Sequence, residues 1–190
     1  MRVVGGRLKG RNLASPTSRD IRPTADRLRE SLFNILVHAY DDPIAEARVL
    51  DLFAGTGALG IEAVSRGAAF ALFVDNGTEA RALLRNNVEA LGLGGTTKVY
   101  RRDATQLGPA HPVEPFSLVF LDPPYRMKLA EQALASLRDG GWLTRDALLV
   151  VEEAKAAAFA APEGFTELER RAYDDTEFTF LRFGEVGTQP

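Results

Sequence analysis

Four aspartates accompany four short apolar runs of the sequence, and these carboxylates are the groups with which the chain could do chemistry. Asp51 lies in "RVLDLF", Asp75 ends "AFALFVD", Asp103 ends "TKVYRRD" and Asp122 ends "FSLVFLD". Short apolar runs of this kind are typical of strands buried in a parallel sheet. Because the carboxyl ends of parallel strands meet at one edge of the sheet, we expect the four carboxylates to lie close together.

A glycine-rich loop follows the first of these strands and forms a second part of the expected site. The segment "DLFAGTGALG" contains Gly55 and Gly57. Their missing Cβ atoms let a ligand approach the backbone, and the helix that follows offers unpaired N–H groups. The spacing of Gly55, Gly57 and Gly60 also fits the G-x-G-x-x-G pattern of dinucleotide sites. The loop alone therefore leaves the ligand open.

The acids distinguish between the ligands that such a loop could hold. Asp51 suits a ligand with a positive centre rather than a pyrophosphate, and Asp75 has the spacing of an acid that binds ribose hydroxyls. S-adenosylmethionine carries an ammonium, a sulfonium and ribose hydroxyls but no phosphate, so these acids predict it as the cofactor in preference to NAD. The alternative is that each acid only caps the helix after its strand.

The corner "DPPY", Asp122 to Tyr125, follows the fourth apolar run directly. Two prolines fix their own φ angles and donate no backbone hydrogen bonds, which leaves a stiff edge with free carbonyl acceptors. Asp122 and the carbonyl of Pro123 can accept hydrogen bonds from an exocyclic amine, and a base can stack on Tyr125. The corner therefore predicts a site that aims a nucleobase amino group at a methyl donor, and the alternative is a tight turn that only ends a strand.

Composition limits the class of protein. The 190 residues are 45% hydrophobic and 26% charged, which is ordinary for one globular domain with a substantial core. The chain has no cysteine, which excludes disulfides, thiolate metal sites and a cysteine nucleophile, and we expect no metal. The apolar stretches are too short for a membrane span and the N-terminus lacks a signal-peptide core, so we expect a cytoplasmic protein.

Strands and helices alternate from residue 48, which predicts a mostly parallel sheet with helices on both faces. We expect a single domain over residues 1–190, in which a core spans 48–184. A basic arm over 1–23 begins with a β-hairpin, and a helix that Thr24 caps spans 24–40. The predicted parallel strands are 48–53, 69–75, 97–103, 116–122 and 147–153, followed by a short alanine-rich helix and a closing antiparallel hairpin.

The charge of the chain is unevenly distributed. Residues 1–29 contain eight Lys and Arg against two Asp, whereas the remainder contains 15 bases and 24 acids. A basic arm on an acidic body predicts a polyanionic partner, and the alternative is a solvated tail. For Arg22 and Arg27, a place in the pocket or pairing with Asp26 and Glu30 stays open. The residues that we expect to contact nucleic acid are Lys9, Arg11, Arg19, Arg22 and Arg27.

The motifs together resemble a known family. "DLFAGTG" and "DPPY" are similar to the two signature motifs of class I, Rossmann-like S-adenosylmethionine-dependent methyltransferases that act on exocyclic amines. "RVVGGRLKGRNL" and "RPTADRLRESLFNIL" resemble more specifically the bacterial 16S ribosomal RNA guanine-N2 methyltransferases (RsmD-like), over nearly the whole chain. The resemblance implies a seven-stranded sheet and methylation of the N2 amine of a guanine, of the guanine-966 type, in an assembled or partly assembled small ribosomal subunit. The sequence says little about oligomeric state, and we expect a monomer.

The resemblance also implies roles for the residues of the site. Asp75 would bind the ribose, Asp103 with Ala104 the adenine, and the residues around the glycines the methionine part. The chain departs from the expected pattern at Asp75, where glutamate is expected and the shorter acid brings the ribose closer, and at Tyr125, where phenylalanine is frequent. The implied cofactor residues are Asp51, Phe53, Ala54, Gly55, Thr56, Gly57, Asp75, Asn76, Asp103 and Ala104, and the implied target-base residues are Asp122, Pro123, Pro124 and Tyr125.

Other functions stay open from the sequence. The proline motif is shared with DNA adenine-N6 and cytosine-N4 methyltransferases. A further alternative is a nucleic-acid-binding domain without catalysis. Another is a dinucleotide-binding oxidoreductase, because the glycine loop also fits the G-x-G-x-x-G pattern of dinucleotide sites.

Overall fold

The computed structural model describes residues 1–16, 25–125 and 127–184. The strands are β1 (Arg48–Leu52), β2 (Phe70–Val74), β3 (Thr97–Tyr100), β4 (Phe116–Leu121), β5 (Leu143–Ala154), β6 (Phe165–Tyr173) and β7 (Thr176–Phe183). The helices are α1 (Asp26–Ala39), α2 (Ala58–Ser65), α3 (Thr78–Ala90) and α4 (Leu129–Gly140). None of the helices in the described part of the chain has the length and apolarity that crossing a membrane requires.

The strands form one sheet in the order β3-β2-β1-β4-β5-β7-β6. Neighbours from β3 to β5 are parallel, whereas β7 runs antiparallel to both β5 and β6. This arrangement confirms the predicted sheet and its closing hairpin. The chain moves outward from β1 to β3 and then returns to the other side of β1 as β4, so the order reverses between β1 and β4, where ligands bind in open sheets of this kind.

The sheet divides the apolar core into two layers because successive strand residues point to opposite faces. Phe73, Phe120 and Val150 belong to the layer that packs against α1, α2 and α3. The opposite layer packs against α4 and contains Leu121 and Val151. Helices therefore cover both faces, as the alternating pattern predicts.

The N-terminal segment contains only a short form of the predicted β-hairpin. One antiparallel bridge joins Arg2 to Asn12, and a 3-10 turn spans Gly6–Leu8. The amide of Val3 donates to the carbonyl of Arg11 at 2.9 Å and the amide of Leu13 donates to the carbonyl of Met1 at 3.0 Å, so the two predicted runs do pair over a few residues. The backbone between the two runs bonds to side chains of α2. The amide of Val4 donates to Glu62 Oε2 at 3.0 Å, and the amide of Leu8 donates to Ser65 Oγ at 3.0 Å.

Three other predicted boundaries also shift. Helix α1 begins at Asp26 with Ala25 as its N-cap, and Thr24 lies outside the described residues. Strand β3 ends at Tyr100, so Asp103 follows the strand in a loop and does not end it. The alanine-rich helix is reduced to a 3-10 turn over Lys155–Ala157, since so short a run cannot offset the cost of nucleating an α-helix.

Candidate active site

A cavity of about 630 Å³ opens at the carboxyl edge of the parallel strands, and its volume lies in the range of small-molecule sites, roughly 300–1,000 Å³. It is located where the strand order reverses, because Leu52 at the end of β1 pairs with Leu121 at the end of β4. The predicted residues that line it are Asp51, Phe53, Ala54, Gly55, Thr56, Asp75, Asn76, Asp103, Ala104, Asp122, Pro123, Pro124 and Tyr125. Among the predicted cofactor and target-base residues, only Gly57 is missing from this lining.

The glycine loop owes its shape to left-handed backbone conformations. Gly55 has a φ of 57° and Gly57 a φ of 79°, while Phe53, a residue with a side chain, has a φ of 55°. The amide of Gly57 donates to the carbonyl of Ala54 at 2.8 Å, which closes the turn before α2. A Cβ atom on Gly57 would lie 2.2 Å from Leu84 Cδ1. Gly57 therefore supports the loop from behind, and does not line the cavity.

Asp51 lies within β1 and is 1% exposed. Its Oδ2 accepts a hydrogen bond from the amide of Gly60 in α2 at 2.9 Å. Burial raises the pKa of the Asp51 carboxyl to about 8; the charge of Asp75 adds to this rise and the Gly60 hydrogen bond opposes it. A cation bound nearby would favour the ionised carboxylate and lower this pKa. Asp51 is thus both a brace for α2 and a buried acid suited to a cationic ligand.

Asp75 and Asp103 brace the loops in which they lie. Asp75 Oδ2 accepts a hydrogen bond from the amide of Gly55 at 2.9 Å, and Oδ1 accepts one from Gly77 at 2.7 Å. Asp103 Oδ1 accepts hydrogen bonds from the amide and hydroxyl of Thr105 at 2.8 and 2.7 Å. Helix capping and ligand binding were alternatives in the sequence. Neither carboxylate caps a helix, because the N-cap of α3 is Gly77 without a side-chain cap bond and the next helix after Asp103 begins at Leu129. Bracing of the loop and ligand binding are compatible, because each carboxylate oxygen has two acceptor positions.

The proline corner lines the same cavity as the glycine loop. Asp122 is half-buried, Pro123 is buried and Pro124 is exposed. The hydroxyl of Tyr125 lies 3.5 Å from Thr176 Oγ1 in β7, so the final hairpin contacts the ring that we expect to stack on a base. The amide of Asp122 also reaches the carbonyl of Leu52 at 3.5 Å, which places the corner directly beside the start of the glycine loop.

The cavity also contains residues that the sequence analysis did not select. Glu152 and Thr176 line it next to the proline corner, and Glu152 is 5% exposed. The signal for Glu152 is its place directly after the apolar run of β5, in register with Asp122. Arg102 lines the cavity as well, but its guanidinium donates to the carbonyl of Leu107 at 3.0 Å and lies over the ring of Tyr100.

The residues predicted to contact nucleic acid lie outside the cavity lining where the structure describes them. Lys9, Arg11 and Arg27 are exposed, and Arg11 donates to the carbonyl of Ala90 at 3.1 Å. Arg19 and Arg22 lie outside the described residues. Asp26 pairs with the buried Arg29 at 3.0 Å, so the carboxylate considered as a partner for Arg27 is bonded to another arginine.

The sequence predicts no metal site, so there are no predicted metal ligands to locate in the structure. Over residues 1–16, 25–125 and 127–184, no group of three or more His, Asp or Glu side chains is arranged to hold a metal ion.

Comparison with known proteins identifies the family. The model of the family described as "Conserved hypothetical protein 95" matches residues 1–182. The "Ribosomal RNA small subunit methyltransferase D" of Escherichia coli strain K12 is 41% identical over 152 residues, which cover 80% of this chain and 74% of that protein. The Haemophilus influenzae protein of the same name is 35% identical over 173 residues, covering 90% and 88% of the two chains.

The chain belongs to the ribosomal RNA small subunit methyltransferase D family. A solved Escherichia coli structure, named as a candidate methyltransferase (yhhF), superimposes with a TM-score of 0.82 at 33% identity, covering 97% of this chain and 98% of that one. The likeness confirms the Rossmann-like methyltransferase fold. Membership of the methyltransferase D family confirms the resemblance drawn from the glycine loop, the proline corner and the N-terminal segment.

Proposed function

We propose that this chain transfers a methyl group from S-adenosylmethionine to the N2 amine of a guanine in 16S ribosomal RNA. The observation that carries the proposal is that the glycine loop and the proline corner open on one cavity, next to each other through the pairing of Leu52 with Leu121. Relatives at 41% and 35% identity are named as ribosomal RNA small subunit methyltransferases, which supports RNA as the substrate. The guanine is of the guanine-966 type that the resemblance implies.

The cavity fits S-adenosylmethionine by its chemistry. Asp51, Asp75 and Asp103 supply carboxylates along one wall, and these suit an ammonium, a sulfonium, ribose hydroxyls and an amino group better than they suit phosphates. Backbone in left-handed conformation at Gly55 lets the ligand approach the chain closely. Phe53, Ala54, Thr56, Asn76 and Ala104 complete the cofactor wall that we propose. When bound, the cofactor supplies a methyl group on a positively charged sulfur.

The proline corner holds the acceptor amine. The carboxylate of Asp122 and the carbonyl of Pro123 accept the two N–H bonds of the exocyclic amine, which fixes the plane of the base and leaves the nitrogen lone pair directed at the methyl donor. The base leaves its stack in the RNA and lies against Tyr125. The same two acceptors stabilise the positive charge that develops on the amine. No strong base is needed, because methylation makes the amine more acidic.

The exposed basic residues of the N-terminal part hold the RNA backbone. Lys9 and Arg11 lie on the segment that is bonded to α2, and Arg27 lies on the exposed side of α1. We assign Arg19 and Arg22 to the same phosphate-binding group on the basis of the sequence. The substrate that we propose is the assembled or partly assembled small subunit, and the active form is a monomer.

The Asp122→Ala variant tests the assignment of the corner. We expect it to lose transfer to small subunits that lack the modification, while binding of S-adenosylmethionine measured by calorimetry is retained, because Asp122 contacts the base and not the cofactor. The exposed Asp139 in α4 provides the matched control, and Asp139→Ala should keep wild-type transfer. Undiminished turnover in Asp122→Ala would refute the role of the corner.

Product analysis separates the proposed function from its alternatives. Nucleosides from treated ribosomal RNA should contain N2-methylguanosine, and duplex DNA treated in the same way should contain neither N6-methyladenine nor N4-methylcytosine. If the protein methylates only the DNA, it is a DNA amino-methyltransferase. A chain whose melting temperature rises with NAD and not with S-adenosylmethionine is a dinucleotide-binding protein.

A further inference from the structure

Two carboxylates lie side by side where β4 and β5 reach the cavity. The parallel register pairs Phe120 of β4 with Val150 of β5, and Leu121 with Val151. The next residue is Asp122 after β4 and Glu152 in β5, so these two residues are neighbours. Phe120 and Val150 belong to the layer that faces α1, α2 and α3. Since side chains alternate in a strand, Glu152 points to that same face, two residues beyond Val150, and the neighbouring strands are only about 4.8 Å apart.

Glu152 is built into the wall of the cavity. It is 5% exposed, it lines the cavity together with Asp122, Pro123 and Tyr125, and its other neighbour in the sheet is Phe178 of β7. A strand between two other strands gives the side chain little freedom to move away. A carboxylate in such a position favours N–H donors in a bound ligand and disfavours acceptors, because it accepts hydrogen bonds only.

We propose that Glu152 selects guanine by accepting the hydrogen bond of its N1–H group. This inference rests on the proposed function, in which Asp122 and Pro123 hold the exocyclic amine. In guanine two ring nitrogens flank the carbon that bears the amine, and one of them, N1, carries a hydrogen. In adenine and cytosine the ring nitrogen next to the amine is an acceptor, which a carboxylate repels. One acid beside the amine-binding corner therefore attracts guanine and rejects the two other bases that carry an exocyclic amine.

The adjacent residue Glu153 provides a matched control. It is also a glutamate of β5 and is also 5% exposed, but it points to the opposite face and does not line the cavity. Burial raises the pKa of the Glu153 carboxyl to about 7, with the charges of Glu131 and Glu152 adding to the rise. Glu153→Gln makes the same chemical change as Glu152→Gln one residue further along β5. Its side chain points away from the cavity and so cannot contact the base.

The experiment measures base preference as well as rate. Small subunits are reconstituted with 16S RNA that carries either guanine or 2-aminopurine at the position that the wild-type protein methylates. 2-Aminopurine keeps the 2-amine but has an acceptor at N1. We expect Glu152→Gln to lower kcat/KM for guanine about tenfold, because the amide oxygen of Gln can still accept the N1–H bond but carries no charge, and hydrogen bonds to charged groups are stronger than neutral ones. Its preference for guanine over 2-aminopurine should narrow, since the Gln amide can donate to N1.

The possible outcomes separate this inference from the proposed function. If the wild-type protein forms no N2-methylguanosine, both fail. If it forms this product and Glu152→Gln keeps the wild-type rate and base preference, the role of Glu152 is overturned while the proposed function stands. Glu152→Asp keeps the carboxylate, so it should stay selective for guanine at a reduced rate even if Glu152→Gln does not fold. If Glu153→Gln also loses the preference for guanine over 2-aminopurine, the loss comes from a general disturbance of β5, and the proposal is likewise overturned.

Discussion

The buried carboxyl of Asp51 predicts that cofactor affinity depends on pH. Burial raises its pKa to about 8, and the negative charge of Asp75 contributes to the rise. At this pKa about 1% of the carboxyl is ionised at pH 6 and about 9% at pH 7. If S-adenosylmethionine binds with its positive groups near Asp51, the ionised form binds it more tightly, and its dissociation constant should fall about tenfold from pH 6 to pH 7.

The direction follows from proton counting. The free protein holds a proton on Asp51 below pH 8, and the complex with a cation does not, so binding releases a proton and is favoured as pH rises. The α-amino group of the cofactor does not reverse this trend, because α-amino groups titrate near 7.7–8.0, roughly above the interval chosen. Calorimetry at pH 6.5 in two buffers of different ionisation enthalpy should show release of about one proton per cofactor bound.

Asp51→Asn is the control for this prediction. The asparagine side chain keeps an oxygen that can accept the hydrogen bond from Gly60, which is 2.9 Å from the carboxylate in the structure, but it cannot titrate. Its dissociation constant should be the same at pH 6 and pH 7. The prediction fails if the dissociation constant of the wild-type protein is also the same at pH 6 and pH 7, or if that of Asp51→Asn falls as much as expected for the wild-type protein. Either result would show that ionisation of the Asp51 carboxyl does not affect cofactor binding.

Two further predictions concern the loop behind the cavity and the basic segment. Gly57→Ala should lower the free energy of unfolding by about 2–4 kcal/mol in urea titrations, because a left-handed φ and contact with a buried leucine of α3 both oppose a Cβ atom. The control is Gly92→Ala, at a φ of 68° with no atom within 4 Å of a Cβ, which should lower the free energy of unfolding by only about 1–2 kcal/mol. If both variants lose the same free energy of unfolding, contact with the leucine makes no contribution. The double change of Lys9 and Arg11 to alanine should reduce the slope of log K for the small subunit against log salt by about 1.4–1.8, whereas Lys98→Ala on β3 should leave it unchanged. A wild-type slope in the double variant would rule out phosphate contacts by this segment.

The parts of the site that the sequence predicted correctly depend on local rules. Gly55 adopts a positive φ, and the apolar runs before Asp51 and Asp122 form buried strands in register with each other. Glycine, proline and short apolar runs specify such features within a few residues. Their meeting at one cavity then follows from the geometry of a parallel sheet. The roles of these residues stay predictions until ligand binding is measured.

The parts that the sequence did not predict depend on distant partners. Val4 and Leu8 bond to Glu62 and Ser65, which lie 58 and 57 residues away along the chain, and no local pattern at the N-terminus indicates these contacts with α2. Glu152 enters the cavity because of the register between β4 and β5, which no local pattern states. Asp103 was predicted to end a strand but lies beyond the end of β3 at Tyr100, where its carboxylate bonds to the amide of Thr105.

The order of synthesis of the last two strands has a consequence for folding. Strand β6 is made before β7, yet β7 lies between β5 and β6 in the sheet. On the ribosome, β6 thus has no place to dock until the whole of Thr176–Phe183 has emerged from the exit tunnel. Tyr125, which we propose as the platform for the base, acquires its neighbour Thr176 only then. A nascent chain that stops before this strand keeps the glycine loop and the proline corner but lacks Thr176, which lines the cavity beside them.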